Sequence, residues 1–222
     1  MCGRFVRKVK LRDALDLFKA ASVEAEMEPS FNIAPRQPVA VIMEEGKRKI
    51  VPMQWGLIPH WAKDEKIASK LINARAETIA EKPSFRNSFK KFRCLIIADG
   101  FYEWQGVGLK KKPFYICMKD GKPFGMAGLF DRWKNPEGKT VVTCTIVTTE
   151  ANAVMKPIHH RMPVIVDPAD YDTWLNPSVG DVKELGRLLK PCDPNLLTAY
   201  EVGLAVNLPR NNSEECIRPM QR

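Results

Sequence analysis

Cys94-Leu95-Ile96-Ile97-Ala98-Asp99-Gly100-Phe101-Tyr102-Glu103-Trp104-Gln105 is the stretch on which the fold turns. An apolar, β-branched run and an aromatic-rich run flank the Asp-Gly break, which predicts strands over Cys94–Ala98 and Phe101–Gln105. Similar runs lie on both sides. Upstream they are Val39–Met43 and Ile50–Gln54; downstream they are Phe114–Met118, Phe124–Phe130 and Val141–Thr149. Asp120-Gly121 is a hairpin signal and Asn135-Pro136-Glu137-Gly138 a turn, so antiparallel pairing is expected.

Helices are predicted only towards the ends. Leu11, Ala14, Leu15 and Phe18 follow helical spacing after a short N-terminal strand. Two more helices are predicted at Pro168–Leu175, with Asp167 as cap, and at Asp181–Leu189. The stretch Pro29–Pro38 reads as loop. No repeat, low-complexity tract or long linker interrupts the chain. This order predicts an α+β single domain over 1–222, with a curved antiparallel, barrel-like β core flanked by helices.

Of 222 residues, 45% are hydrophobic and 27% charged, enough for a substantial core and unlike disordered or disulfide-stapled chains. There is no apolar run of about 18 residues and no secretion signal at the start, so no membrane association is expected and a cytoplasmic location is. Thirty-five Lys and Arg against twenty-six Asp and Glu leave a net charge of +9, which favours a polyanionic partner. Arg86-Asn87-Ser88-Phe89-Lys90-Lys91-Phe92-Arg93 mixes positive charge with aromatics, and Lys47-Arg48-Lys49 and Lys110-Lys111-Lys112 add clusters; each alone also reads as a solvated loop or turn. The cysteines at 2, 94, 117, 144, 192 and 216 form no C-x-x-C pair and the histidines lie at no zinc spacing, so neither a metal nor another cofactor is expected. Cys94, Cys117 and Cys144 read as core.

Cys2 differs in kind. If Met1 is removed, it carries a thiol and an α-amine on adjacent carbons. The amine, with a reference pKa near 7.7–8.0, is substantially neutral at cellular pH and can form a Schiff base, which the thiol then closes to a thiazolidine. The same groups could instead hydrolyse an amide, or Cys2 could simply be a small second residue. Three further segments carry polar groups. In an extended Leu71–Thr78 segment, Asn73, Arg75 and Glu77 share a face suited to orienting a substrate and clamping phosphate, although Arg75 could equally pair with Glu77 on a solvated strand. Glu103 lies among Phe101, Tyr102 and Trp104, where desolvation raises a carboxyl pKa towards general acid/base use, unless its head is in water. In Pro157–Pro163, extended backbone would point His159 and Arg161 the same way, the imidazole for proton transfer and the guanidinium for phosphate. Trp61 could stack on an unpaired base, or be a core tryptophan.

Met1-Cys2-Gly3-Arg4-Phe5, Asn32-Ile33-Ala34-Pro35, Trp55-Gly56-Leu57-Ile58-Pro59, Asn73-Ala74-Arg75-Ala76-Glu77-Thr78, Asp99-Gly100-Phe101-Tyr102-Glu103-Trp104 and His159-His160-Arg161-Met162-Pro163 together resemble the SOS-response-associated peptidase family, across nearly the whole chain. The resemblance implies a protein, expected to be monomeric, that recognises abasic sites in single-stranded DNA and crosslinks Cys2 to the opened sugar as a thiazolidine. It also implies strand cleavage by β-elimination, crosslink reversal and loss of Met1, by the protein's own action or by a housekeeping aminopeptidase. Carried over, Cys2 is the nucleophile, Asn73 orients the amine, Glu103 handles protons and His159 stabilises the opened sugar. Arg4, Arg75 and Arg161 then look like phosphate contacts, and Trp61 is a candidate stacking wedge. His160 departs from the aspartate often found at that position in the family. Two other readings remain: a peptidase or amidohydrolase acting on other polypeptides through Cys2, and a noncovalent reader of modified DNA.

Overall fold

The structure is a computed structural model and describes residues 2–106 and 111–220; Met1 and Lys110 lie outside the described residues. In chain order, the first strands are β1 (Phe5–Arg7), β2 (Ser22–Val23), β3 (Ser30–Ile33), β4 (Pro38–Glu45), β5 (Lys47–Trp55) and β6 (Asn73–Arg75). There follow β7 (Arg93–Ala98), β8 (Gly100–Gln105), β9 (Lys112–Met118), β10 (Phe124–Lys134), β11 (Thr140–Glu150), β12 (Arg161–Pro163) and β13 (Leu197–Glu201). The helices are short: α1 (Ala14–Phe18), α2 (Arg86–Lys91), α3 (Tyr171–Leu175) and α4 (Val182–Arg187).

Five strands close a barrel in the order β11-β10-β7-β4-β5, with β5 returning to β11 through the parallel pairs Gln54↔Thr143 and Trp55↔Cys144. The fold is thus α+β with a barrel core, as the sequence predicts. Alternation explains why its strands read as continuous apolar runs. On β7, Cys94, Ile96 and Ala98 join one cluster with Val41, Met53, Met126, Cys144 and Ile146. Leu95 and Ile97 join another with Phe18, Phe89, Tyr171 and Trp174 from the helices. Both faces are covered, so neither needs polar residues. The interior is narrow: a Cβ at Gly128 would lie 2.4 Å from the Ile96 side chain.

The second sheet, β13-β9-β8-β1-β3, leans on the barrel through the turn at Asp99. The two strands of the Cys94–Gln105 stretch therefore belong to different sheets. Antiparallel register Phe5↔Phe101 and Val6↔Gly100 docks β1 on β8, extended by the Tyr102 N–H donating to the Arg4 carbonyl at 2.9 Å. The Asp99 carboxylate accepts the backbone N–H groups of Lys8 and Val9 at 2.6 and 2.9 Å, fixing where β1 ends.

Several expectations are revised. The predicted loop Pro29–Pro38 contains β3, whose partner β1 is distant in sequence and invisible to local patterns. Not all pairing is antiparallel: β2 and β6, like the closure of the barrel, run parallel to their partners. The cationic stretch Arg86–Arg93 is α2 followed by the first residue of β7, and Arg93 is no surface charge. It is 3% exposed. Its Nε donates to the Trp174 carbonyl at 2.7 Å, its Nη1 to Phe89 and Lys90 at 2.9 and 2.7 Å, and its Nη2 to Asn176 and Val179. A single guanidinium so satisfies carbonyls that the ends of α2 and α3 leave open. Burial holds its pKa down, at about 10.

Arg93→Leu leaves these carbonyls facing an alkyl group and is expected to lower the unfolding free energy by roughly 3 kcal/mol. Urea denaturation monitored by tryptophan fluorescence checks this; a midpoint equal to wild type would show that the carbonyls find other donors.

Candidate active site at the amino terminus

Alternation along β8 decides where Glu103 points. Phe101 belongs to the barrel-side cluster, while Tyr102 packs on the opposite side with Val6 and Val206. Glu103, two residues beyond Phe101, shares its face. Because β1 runs antiparallel beside β8, residues preceding Phe5 lie alongside the Glu103 end of that strand. Cys2 is there, fully buried in the cluster that holds Phe5, Trp55, Phe101 and Met155. Phe5 meets Trp55 edge to face at 5.3 Å, and the Trp55 indole N–H donates to the Ile72 carbonyl at 2.8 Å. That bond sets the residue before Asn73.

Asn73 opens β6, which runs parallel to β11 with Asn73 opposite Ile146 and Arg75 opposite Thr148. Its Nδ2 donates to the Cys2 carbonyl at 2.8 Å, and its Oδ1 is buried without a hydrogen-bond partner among the described residues. An acceptor is therefore left over beside the first residues of the chain. Glu103 is 3% exposed, and burial raises its pKa. The Cys2 thiol is pushed far above the ordinary range, first by burial and next by the charge of Glu103. Cys2 and Glu103 are thus electrostatic neighbours, and the thiol stays protonated.

His159 completes the group. Its Nδ1 lies 3.0 Å from the Arg161 N–H and 3.2 Å from the Arg161 carbonyl, so the Arg161 backbone holds the ring by this nitrogen. Burial lowers its pKa, with the positive charge of the amino terminus next; the hydrogen bond to the Arg161 backbone opposes this, and His160 and Lys111 add to the lowering. The same terminal charge and Lys111 act on Glu103 in the opposite sense to its burial. His159 is not in an extended strand as expected: it follows a turn, and its ring stacks on His160 at 4.3 Å.

The expected phosphate contacts divide. Arg75 is exposed and lines a cleft of 380 Å³ with Lys70, Asn73 and Lys82, so positive charge borders Asn73. Arg4 instead donates through Nη1 to Asn32 Oδ1 and the Val206 carbonyl, both at 2.8 Å, which ties β1 to β3 and to the C-terminal region. Arg161, 8% exposed, bonds Glu77 through both terminal nitrogens, at 2.5 and 3.0 Å, and the Thr148 carbonyl at 2.6 Å. Glu77 itself lies in the 3₁₀ turn Ala76–Thr78, off the strand face that Asn73 and Arg75 were expected to share with it. Trp61 is 50% exposed, not core, and shares a cleft with Lys63, Lys66 and Lys70. Sequence reasoning missed Gln105, whose Nε2 donates to the Pro157 carbonyl at 2.8 Å and fastens the His159 turn to β8. Its signal was available, since it repeats Glu103 at period two.

The barrel thus brings a buried carboxyl, an amide and an imidazole to the first residues of the chain. The model of the SOS response associated peptidase (SRAP) family matches residues 1–209, and the chain belongs to that family. It is 46% identical over 221 residues to the abasic site processing protein YoqW of Bacillus subtilis, covering 98% of this chain and 99% of the relative. It is 31% identical to the abasic site processing protein HMCES of Gallus gallus, covering 89% of this chain and 68% of that one. A crystal structure of a protein from Bacteroides thetaiotaomicron, 31% identical, superposes with a TM-score of 0.90 over 99% of this chain and 100% of that chain.

An NMR titration of the imidazoles is expected to place the His159 midpoint below the ordinary value of about 6.5. Lys111→Ala, which removes one of the positive charges acting on it, should raise that midpoint. A midpoint unmoved by the substitution would take Lys111 out of the electrostatics of the site.

Proposed function

We propose that this protein processes abasic sites in single-stranded DNA by forming a covalent thiazolidine between Cys2 and the sugar. The observation that carries the reading is the Asn73 amide held on the Cys2 carbonyl beside a buried Glu103 of raised pKa. The family and its abasic site processing relatives point to the substrate. Positive charge along Lys70, Arg75 and Lys82 suits a phosphate backbone leading to the site, and Trp61 offers a face for an unpaired base.

The order of steps follows from protonation. A buried thiol of strongly raised pKa is a poor first nucleophile, whereas the α-amine released by removal of Met1 is substantially neutral. The amine attacks C1′ of the ring-opened sugar, and Glu103, still protonated at a pH where ordinary carboxyls are ionised, gives the proton with which the carbinolamine oxygen departs as water. The thiol then adds to the protonated C=N bond: sulfur joins C1′, nitrogen keeps its one proton, and the thiol's proton restores Glu103. One water is released overall. Asn73 Oδ1, the spare acceptor, holds the amine in line. His159, its pKa lowered by burial, serves the opened sugar's hydroxyl as hydrogen-bond partner. From the Schiff base, loss of a C2′ proton would expel the 3′ phosphate, which gives the strand-cleaving side reaction; reversal retraces the two additions. The same protonated thiol counts against general hydrolysis of other polypeptides through a Cys2 thiolate.

Mixed with a single-stranded oligonucleotide bearing one abasic site, the protein lacking Met1 should give a denaturation-resistant adduct, and Cys2→Ala none. No adduct from protein shown by mass spectrometry to begin at Cys2 would sink the proposal. Glu103→Gln, unable to exchange a proton, should slow adduct formation about 10²-fold. In wild type the Glu103-dependent part of the rate should decline as pH rises through its raised pKa, and in Glu103→Gln this decline should be missing.

A further inference from the structure

A half-buried ion pair joins two parts of the site that different strands supply. Glu77 follows β6, the strand of Asn73; Arg161 opens β12, just after His159. Between them runs β11, with β6 on one side and β12 on the other: Thr148 faces Arg75, and Glu150 faces Arg161. The Arg161 side chain crosses β11, donating to the Thr148 carbonyl at 2.6 Å on the way, and closes on both Glu77 oxygens. Its own backbone holds His159 Nδ1, with the N–H at 3.0 Å and the carbonyl at 3.2 Å. The arginine side chain is 10% exposed and the glutamate 50%, so the pair is anchored on one side and open to solvent on the other.

We infer that Glu77 is a positioning residue: through Arg161 it fixes the His159 ring, by its Nδ1, against the strand that carries Asn73. The pair acts as a bolt through three strands. Without the carboxylate, the guanidinium retains only its bonds to Thr148, and β12 is free to shift by the small amounts that break a 3.0 Å contact from backbone to imidazole. A bidentate arginine suits this role because its planar fork sets orientation as well as distance. Such positioning matters to rate, since small displacements of a catalytic group cost much of its effect.

The consequence for catalysis rests on the crosslinking reaction proposed above; the consequence for the imidazole does not, and the test separates them. ¹⁵N NMR of the His159 ring, at a pH where it is neutral, should report one dominant tautomer, set by the Arg161 backbone at Nδ1, in wild type and a mixture in Glu77→Gln. Glu77→Asp, which keeps a carboxylate on a shorter arm, should recover much of the wild-type spectrum. In single-turnover crosslinking, Glu77→Gln should be about tenfold slower while noncovalent affinity for single-stranded DNA is kept; added to His159→Ala it should cost nothing more. An unchanged tautomer in Glu77→Gln overturns the inference even if the melting temperature falls, because that result leaves only a structural role. Faster crosslinking with tighter DNA binding also overturns it, and would make Glu77 an occupant that phosphate displaces. Absence of adduct in wild type would remove the proposed reaction and leave the tautomer measurement to decide the role of Glu77.

Discussion

The antiparallel ladder between β1 and β8 is the constraint on which the site depends. Without it, residue 2 has no reason to stand beside residue 103. The register Phe5↔Phe101 brings the start of the chain along the end of β8 that bears Glu103, and Asp99 secures it by accepting two backbone N–H groups just past β1. A slip of one residue would turn Phe5 and Cys2 out of the barrel-side cluster and towards the face that holds Val6 and Tyr102. The apolar burial of Phe5 against Trp55 therefore specifies chemical geometry as well as stability.

Buried arginine has a second structural part in this chain. Arg7, Arg93 and Arg161 are 1%, 3% and 8% exposed, and each spends its terminal nitrogens on carbonyls or a carboxylate. Some of the +9 charge is thus internal, holding loop to strand and helix to strand. Cations open to a polyanion near the site include Lys70, Arg75 and Lys82 along one cleft, Lys63 and Lys66 by Trp61, and Lys111, whose charge reaches Glu103 and His159.

The strands were legible because β-branched and aromatic runs are bounded by Asp-Gly and Asn-Pro turns. Closure of the barrel was not, since pairing of Trp55 with Cys144 depends on contacts remote in sequence. Cys2 and Glu103 could be singled out by chemistry alone: a terminal aminothiol and a carboxyl among aromatics are unusual in any fold. Arginines are harder to read. Nothing local distinguishes Arg75, which is exposed, from Arg161, which is locked inside, and the turn at Ala76 that carries Glu77 off the strand and over to Arg161 leaves no mark in the alternating pattern. The histidine pair misled for a related reason, because stacked rings follow from a turn and not from strand alternation.

β5 and β6 lie end to end along the same neighbour, β11, as one interrupted strand. At the interruption Gly56 takes a φ of +123°, and the excursion that leaves there returns with the Leu57 N–H donating to the Leu71 carbonyl at 3.1 Å. A neck is formed, with Trp61 beyond it. Ile58 and Ala68 anchor the excursion on Trp133 of the barrel, so a change of length confined to its exposed tip, 63–66, would leave the staves and Asn73 in place while altering the surface beside Trp61.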